Sequence, residues 1–200
     1  MTHKQKQASS ITVFQKMNDN LVIGITGNNR VGKDTLCANF RQIHKRVQRY
    51  AFADALKNDL AGFIRTNFKF DIFNCTPEQK ELVRPIMIAY GCAKRAVDIN
   101  YWVKQVVSQI ESDQSYDPYS IIPVITDVRF ESEAIFLKKS FGKNFKLIAV
   151  NRSDAPEPTE EEKKNYPAVA ALADYTVNWG GDSAEERLKI ARAAWGKVNE

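Results

Sequence analysis

The sequence predicts an α/β fold in which a five-stranded parallel sheet is flanked by helices. Short apolar runs, typical of buried strands, alternate along the 200 residues with segments whose apolar side chains recur at helical spacing. This alternation is typical of a parallel sheet whose strands are joined by crossover helices. A glycine-bearing segment that ends in a lysine, Gly27–Lys33, stands between the first apolar run and the first helical segment.

The five strands are predicted from short apolar runs bounded by turn-forming residues. In the third run, Pro123 is unusual, because proline cannot donate a hydrogen bond to a strand ladder. The predicted strands are Leu21–Thr26, Tyr50–Ala53, Ile121–Thr126, Phe145–Val150 and Asp174–Asn178.

The helices are predicted from apolar spacing and from capping residues. Thr76 can cap a helix that begins at Pro77, with Gln79 reaching back to the cap, and we expect this helix to stop near Gly91. A second capping box opens the last helix at Ser183. The remaining predicted helices cover Leu36–Val47, Leu56–Ile64, Ile99–Ile110 and Glu131–Ser140, whereas the polar segment Asp154–Tyr166 is expected to form a mobile loop or a pair of short helices.

The chain is predicted to form one domain with an arm, an insertion and a lid. Residues 1–20 are polar and weakly patterned, which indicates a flexible N-terminal arm, and residues 21–200 suit a single domain. Roughly seventy residues separate the second and third strands, far more than a crossover needs. We therefore interpret residues 53–118 as an insertion that binds an acceptor, and the polar residues 152–168 as a lid.

Composition and charge narrow the classes of partner. The formal net charge is +5, and no run of Lys and Arg concentrates it, so the charge suits small polyanions and gives no sign of stable nucleic-acid binding. No apolar run is long enough to span a membrane or to act as the core of a signal peptide. We therefore expect a cytoplasmic protein with no membrane partner.

Gly27–Lys33 matches the G-x-x-x-x-G-K phosphate loop, in the strand–loop–helix setting that this motif requires. Glycines let the backbone curl so that several N–H groups point at one phosphate. The helix N-terminus adds its positive end, and Lys33 supplies charge for the β and γ phosphates. The alternative is a simple turn with a chance lysine. The motif predicts an ATP site formed by Gly27, Asn28, Asn29, Arg30, Val31, Gly32, Lys33, Asp34 and Thr35.

Two carboxylates are candidate Mg²⁺ ligands. Asp34 stands where the general motif has Ser or Thr, and it could hold Mg²⁺ through the water shell of the ion or merely stabilise the helix N-terminus. Asp127 ends the third strand, where ligands gather in parallel sheets, and it could hold Mg²⁺ or orient the acceptor. Nearby Arg129 could bind a phosphate bidentately, or it could pair with Asp127 or Glu133 in a solvated turn.

The insertion mixes cations with aromatic residues, which suits an acceptor that carries both a phosphate and a base. Each of these residues alone could equally belong to the core or to the solvated surface. After the fourth strand, Arg152 could close over ATP as part of the lid, or it could be a solvated loop residue. The predicted catalytic residues are Lys33, Asp127, Arg129 and Arg152.

The loop continues as Asp34-Thr35, and G-K-D-T resembles the phosphate loop of bacteriophage deoxynucleoside monophosphate kinases, to which phosphomevalonate kinases are similar at this motif. The D-V-R-F segment at Asp127–Phe130 and the spacing of Arg84, Gly91, Arg95 and Trp102 favour the phage kinases. This resemblance, from about residue 21 to residue 195, implies an ATP–Mg²⁺ site, an acceptor site in the insertion, a lid and a possible homodimer. It implies acceptor binding by Asp54, Lys57, Arg84, Gly91, Arg95, Trp102, Arg129 and Glu133.

The expected reaction is the phosphorylation of a deoxynucleoside monophosphate (dNMP) by ATP, in the host cytoplasm if the chain is of phage origin. A P-loop kinase of another small phosphorylated acceptor stays open as an alternative. A nucleotide-binding regulator without turnover is the second alternative, and Asp34 in place of Ser or Thr is its best support.

Overall fold

A computed structural model describes residues 20–115 and 121–199. Five parallel strands form one sheet in the order β2-β3-β1-β4-β5, so β1 lies at its centre. Seven α-helices flank the sheet in these described ranges, which confirms the predicted α/β class. The elements are β1 (Val22–Thr26), α1 (Lys33–Ile43), β2 (Val47–Tyr50), α2 (Phe52–Phe68), α3 (Pro77–Val97), α4 (Tyr101–Gln114), β3 (Ile122–Val128), α5 (Glu131–Phe141), a 3-10 turn (Gly142–Asn144), β4 (Phe145–Arg152), α6 (Glu160–Ala170), β5 (Tyr175–Trp179) and α7 (Ala184–Val198).

The core lies on both faces of the sheet, because alternate residues of each strand point to opposite sides. Ile23 and Ile25 of β1 join a cluster with α1 and α7, whereas Val22 joins a cluster with α4 and α5. A third, smaller cluster around Leu60 and Val83 holds α2 against α3 within the predicted insertion. The insertion therefore has apolar packing of its own.

The second strand lies earlier in the chain than predicted. The prediction of Tyr50–Ala53 was wrong except for Tyr50, because Ala51 caps α2 and the helix begins at Phe52. The true strand, Val47–Tyr50, has only its two end residues buried and exposes Gln48 and Arg49 between them. This edge strand therefore lacks the continuous apolar run on which the prediction relied.

The third helix continues beyond its predicted end. The capping box of Thr76 and Gln79 is confirmed, but the helix runs through Gly91 to Val97. Gly91 makes room for a close contact, since a Cβ there would lie 2.9 Å from Leu56 Cδ1. The indole nitrogen of Trp102 donates to the carbonyl of Gly91 (3.2 Å), which joins α3 to α4. The glycine here allows close packing and does not end the helix.

The remaining segment predictions are confirmed in part. The capping box at Ser183 is confirmed. Pro123 is the second residue of β3, opposite Gln48 of the edge strand. The polar segment from Asp154 contains a loop and then one helix, α6, which Thr159 caps and which has Pro167 inside it. Apart from Asn20, the predicted arm lies outside the described residues, as do residues 116–118 at the end of the predicted insertion. None of the described helices has the length and hydropathy that crossing a membrane requires.

Candidate active site

The phosphate loop leaves the central strand at its carboxyl end and leads into α1. Gly27 has φ 153°, Arg30 60° and Gly32 92°, so the loop uses backbone conformations that most side chains avoid. A Cβ on Gly27 would lie 2.6 Å from the carbonyl oxygen of Val150 in β4. Only glycine therefore fits where the loop passes this strand.

Trp179, the last residue of β5, packs against the phosphate loop. Its buried indole nitrogen donates to the carbonyl of Val31 (2.6 Å), and a Cβ on Gly32 would lie 3.0 Å from its ring. The sequence analysis missed this residue, although a tryptophan at the carboxyl end of a strand is a usable signal. A buried indole N–H usually needs an acceptor, and at this edge of the sheet a loop carbonyl can supply it.

The ammonium group of Lys33 lies within the curl of the loop. Its Nζ donates to the carbonyl oxygens of Gly27 (2.7 Å) and Asn28 (2.6 Å). Burial, and then the nearby charge of Arg129, lowers the pKa of Lys33 to about 8. A phosphate group would supply the negative charge that this buried cation lacks.

Arg129 lies across a small cavity from the loop. Thr26, Gly27, Asn28, Arg129, Phe130, Glu161, Glu162, Asn165 and Tyr166 line this cavity. Among residues 20–115 and 121–199, the guanidinium group of Arg129 forms no hydrogen bond and no ion pair. Lys33 binds the carbonyls of Gly27 and Asn28 in this lining, and the charge of Arg129 acts on it. Two cations therefore lie near each other beside the loop, which suits a ligand with several negative charges.

Asp127, near the carboxyl end of β3, contacts the start of α2. Its two carboxylate oxygens accept hydrogen bonds from the backbone N–H groups of Phe52 (2.8 Å) and Ala53 (2.9 Å). The side chain of Asp127 is partly buried, and desolvation of its carboxyl group raises its pKa. Asp127 therefore fixes the first turn of α2 beside the phosphate loop, and its proposed role toward Mg²⁺ or the acceptor adds to this contact.

Arg49 of β2 links the two sides of the site, and the sequence analysis missed it. Its Nε lies 3.0 Å from a carboxylate oxygen of Asp34, and its Nη1 lies 2.5 Å from one of Asp54. Lys57 pairs with the other oxygen of Asp54 at 3.4 Å. This chain of charges joins the start of α1 to α2. The exposed position of Arg49 in a strand was the available signal.

Glu133 organises the segment that follows β3. One of its oxygens accepts hydrogen bonds from the backbone N–H groups of Arg129 (2.9 Å) and Phe130 (3.0 Å). Its other oxygen lies 3.7 Å from Nη1 of Arg95, whose guanidinium group stacks on the Phe130 ring, 3.3 Å from its centroid. Burial raises the pKa of Glu133 to about 7. Arg95, Arg129 and Glu133, which were predicted to bind the acceptor, are therefore brought together.

The other predicted residues lie in separate contacts. Arg84 pairs with Glu81 on the exposed side of α3, and Arg152 pairs with Asp154 through two hydrogen bonds of 2.6 and 2.7 Å. Trp102 is 5% exposed and packs in the core. The partners of Arg84 and Arg152 thus lie outside the phosphate loop.

Helix α6 also reaches the loop, through a residue that the sequence analysis did not identify. Glu162 Oε1 accepts a hydrogen bond from the backbone N–H of Asn29 at 2.6 Å. Farther along α6, the Tyr166 hydroxyl donates to the side-chain oxygen of Asn151 (2.5 Å), which follows the buried part of β4. The predicted lid therefore lies against the phosphate loop and the end of the sheet.

The residues present fit ATP and Mg²⁺. A triphosphate could accept hydrogen bonds from the backbone N–H groups of the curled loop and pair with the charges of Lys33 and Arg129. The side chain of Asp34, next to Lys33 in the chain, is 76% exposed. Mg²⁺ is usually held by one or two carboxylates together with substrate phosphates and water. Asp34 and Asp127, the predicted ligands, are two carboxylates close enough to Lys33 for their charges to act on it.

A family model described as phosphomevalonate kinase matches residues 25–143, which is more than half of the chain. Among solved structures, TT1252 from Thermus thermophilus is 17% identical, with 88% of this chain and 95% of that one covered and a TM-score of 0.48. A gluconokinase from Sinorhizobium meliloti 1021 is 11% identical, with coverages of 90% and 94% and a TM-score of 0.49. A shikimate kinase from Bacteroides thetaiotaomicron is 12% identical, with coverages of 88% and 98% and a TM-score of 0.45. No curated protein matches at a significant level.

The family match covers the phosphate loop, the predicted insertion and the segment from Asp127 to Glu133. These are the parts that bring Lys33, Arg129 and Arg95 to one end of the sheet. ATP with Mg²⁺ is the phosphoryl donor on which P-loop kinases depend. The chain is thus a P-loop kinase that belongs to the phosphomevalonate kinase family.

Proposed function

We propose that this kinase transfers the γ-phosphoryl group of ATP to a small phosphorylated acceptor, and that the acceptor is a dNMP. The observation that carries the proposal is the closeness of two cations beside the phosphate loop: Lys33, and Arg129, whose guanidinium group has no hydrogen bond or ion pair within the described ranges. A donor and an acceptor that both carry phosphate need this density of positive charge, because phosphoryl transfer depends on positioning and charge neutralisation.

Support for a nucleotide acceptor comes from the aromatic residues of the insertion. Lys94 Nζ lies 5.3 Å from the ring centroid of Tyr90 and 4.6 Å from that of Tyr101. Both phenol groups donate to Asp59, at 3.1 and 3.3 Å, which fixes their orientation. Partly exposed aromatic rings next to cations suit a planar base that is joined to a phosphate.

A phosphorylated acceptor without a base is the second candidate, and the family match favours it. Phosphomevalonate is the compound named by that family. It would use the same donor site, with Arg95 and Arg129 on its phosphate, and it would leave the aromatic residues of the insertion in a packing role. The two candidates therefore differ only on the acceptor side.

In the proposed reaction, a phosphate oxygen of the acceptor attacks the γ-phosphorus of ATP. The bond from that phosphorus to the β,γ-bridging oxygen breaks, and ADP leaves. Lys33 stabilises charge on the donor, while Arg129, Arg95 and Arg84 hold the acceptor phosphate in line. Asp127 keeps α2 in place beside the loop. Mg²⁺, which Asp34 and Asp127 would hold, neutralises the phosphate charge when it is bound.

Arg152 has a proposed role in closing the site. It would exchange its pair with Asp154 for the phosphates and exclude water, which limits wasteful hydrolysis of ATP. The proposal also includes a cytoplasmic location and a homodimer. Sedimentation velocity of the purified chain would test the second of these.

The test is ADP production from ATP–Mg²⁺ with each dNMP, each ribonucleoside monophosphate and phosphomevalonate. We expect turnover with one or more dNMPs and none without an acceptor. Lys33→Met is the control, and we expect it to lose several orders of magnitude in rate while its circular dichroism is unchanged. Turnover with phosphomevalonate alone would replace the nucleotide acceptor by the second candidate. ATP binding without any turnover would favour the regulator.

A further inference from the structure

One amide of the phosphate loop is already occupied by an anion from the chain itself. The backbone N–H of Asn29 donates to Oε1 of Glu162, and the distance of 2.6 Å is that of a short, charge-assisted hydrogen bond. Glu162 is 133 residues away in sequence, so this contact depends on the folded position of α6. A carboxylate oxygen here stands where a phosphate oxygen could accept the same N–H.

The other oxygen of Glu162 has a separate role, which explains how the side chain is held. Oε2 accepts hydrogen bonds from the backbone N–H of Thr159 (2.9 Å) and from its hydroxyl group (3.0 Å). Thr159 in turn accepts from the backbone N–H of Glu162, which completes a capping box at the start of α6. The cap therefore orients Glu162, and Oε1 extends from the cap to the loop.

The surroundings of Glu162 make this contact a competitor of ATP. Glu162 lines the same cavity as Gly27, Asn28 and Arg129, and its charge acts on Lys33. A triphosphate in the loop would bring further negative charge against this carboxylate, and the two anions would need the same donors. One of them must leave, because like charges at contact distance repel strongly.

We propose that Glu162 is a gate for the donor: in the free enzyme its carboxylate holds α6 on the phosphate loop, and it must leave the Asn29 amide before ATP can bind fully. The inference rests on the proposed function, because it assigns the loop to ATP. It goes beyond that function because α6 would then do more than close over bound ATP. In the free enzyme, its Glu162 carboxylate would itself occupy part of the ATP site. The strength of the Glu162 contact then sets the affinity and the rate of ATP binding.

Glu162→Gln tests the gate with little change to the fold. Glutamine preserves the capping box with Thr159, since Gln serves at this helix position as Glu does. It removes the charge, so the hydrogen bond to Asn29 becomes a weaker, neutral one. We expect the Kd for ATP–Mg²⁺, measured by calorimetry, to fall by roughly five- to tenfold, since hydrogen bonds to charged groups are about twice as strong as neutral ones. The gain should lie in the association rate, measured by stopped flow with a ribose-labelled fluorescent ATP.

Glu160→Gln is the matched control. It removes the same charge from the same helix, but the side chain of Glu160 is 92% exposed and pairs only with Lys163 within the described residues. We expect its Kd and association rate to equal those of the unmodified enzyme. The inference would be overturned if Glu162→Gln bound ATP no better than Glu160→Gln, or more weakly than it. Failure of the unmodified enzyme to bind ATP would instead refute the proposed function.

Discussion

The charge on Lys33 depends on its burial in the phosphate loop and on the nearby charge of Arg129. Because its pKa is lowered to about 8, Lys33 is a cation below that pH and becomes neutral above it. Glu162, Asp127 and Asp34 act in the opposite direction and keep the pKa from falling further. Neutral Lys33 cannot balance the charge of the phosphates, so ATP should bind more weakly at alkaline pH.

We predict that the Kd for ATP–Mg²⁺ is constant below about pH 7.5 and rises above about pH 8, by at most about tenfold per pH unit. Calorimetry or fluorescence titration between pH 7 and 9.5 measures this change. Arg129→Gln removes a charge that lowers the pKa of Lys33, so its rise in Kd should begin at a higher pH, whatever its affinity. A Kd that stays constant to pH 9.5 would contradict the assigned charge state of Lys33.

The site residues that could be predicted from the sequence are those that belong to a local motif. Gly27 and Lys33 could be identified because loop geometry and phosphate chemistry constrain a few consecutive positions. Arg49, Glu162 and Trp179 were missed, because their partners lie on other elements of the fold. A salt bridge or a buried indole hydrogen bond leaves at most a weak local signal, which does not identify the partner.

At the scale of elements, β5 fixes the shape of the phosphate loop through Trp179. We predict that Trp179→Phe lowers the free energy of unfolding by about 1–3 kcal/mol, because the carbonyl of Val31 loses its buried donor. The loop would be less rigid, so the Kd for ATP should rise several-fold. Urea unfolding gives the first quantity, and calorimetry with ATP–Mg²⁺ gives the second.

Trp195→Phe is the control for this prediction. Trp195 lies in the same hydrophobic cluster, but its ring packs on Phe40 and His44 at the C-terminal end of α1, whereas the loop precedes the N-terminal end of that helix. We expect Trp195→Phe to lower the free energy of unfolding and to leave the Kd for ATP unchanged. Equal effects of the two substitutions on ATP binding would show that Trp179 acts only through general stability.

Elements were predictable where hydrogen-bonding chemistry is local. The capping boxes at Thr76 and Ser183 mark the starts of α3 and α7 correctly. The end of α3 was predicted wrongly, because Gly91 faces Leu56 and Trp102 in tertiary contacts that a sequence pattern does not contain. Helix starts therefore follow from side chains nearby in sequence, whereas a glycine inside a helix can serve packing.

At the scale of the whole molecule, alternating strands and helices were enough to predict the fold class but not the order of the strands. Placing β3 between β2 and β1 brings Asp127 next to α2 and Arg129 opposite the phosphate loop. The phosphate loop and the residues proposed to bind the acceptor thus meet at the carboxyl end of the sheet, where ligands gather in parallel sheets. Which cations stay free for substrate depends on ion pairs that form only in this arrangement.

Ligand binding at this junction should stabilise the entire domain, because the phosphate loop contacts β4, β5 and α6 at once. At a concentration of ATP–Mg²⁺ 100 times its Kd, the gain is about 2.7 kcal/mol. For a chain of this size we expect a rise in Tm of roughly 5–10 °C, which differential scanning calorimetry measures. Lys33→Met should show almost no rise at the same ATP concentration, and removal of Mg²⁺ by a chelator should reduce the rise in the unmodified enzyme. An equal rise in both proteins would mean that ATP binds outside the phosphate loop, and the donor site would then have to be sought elsewhere.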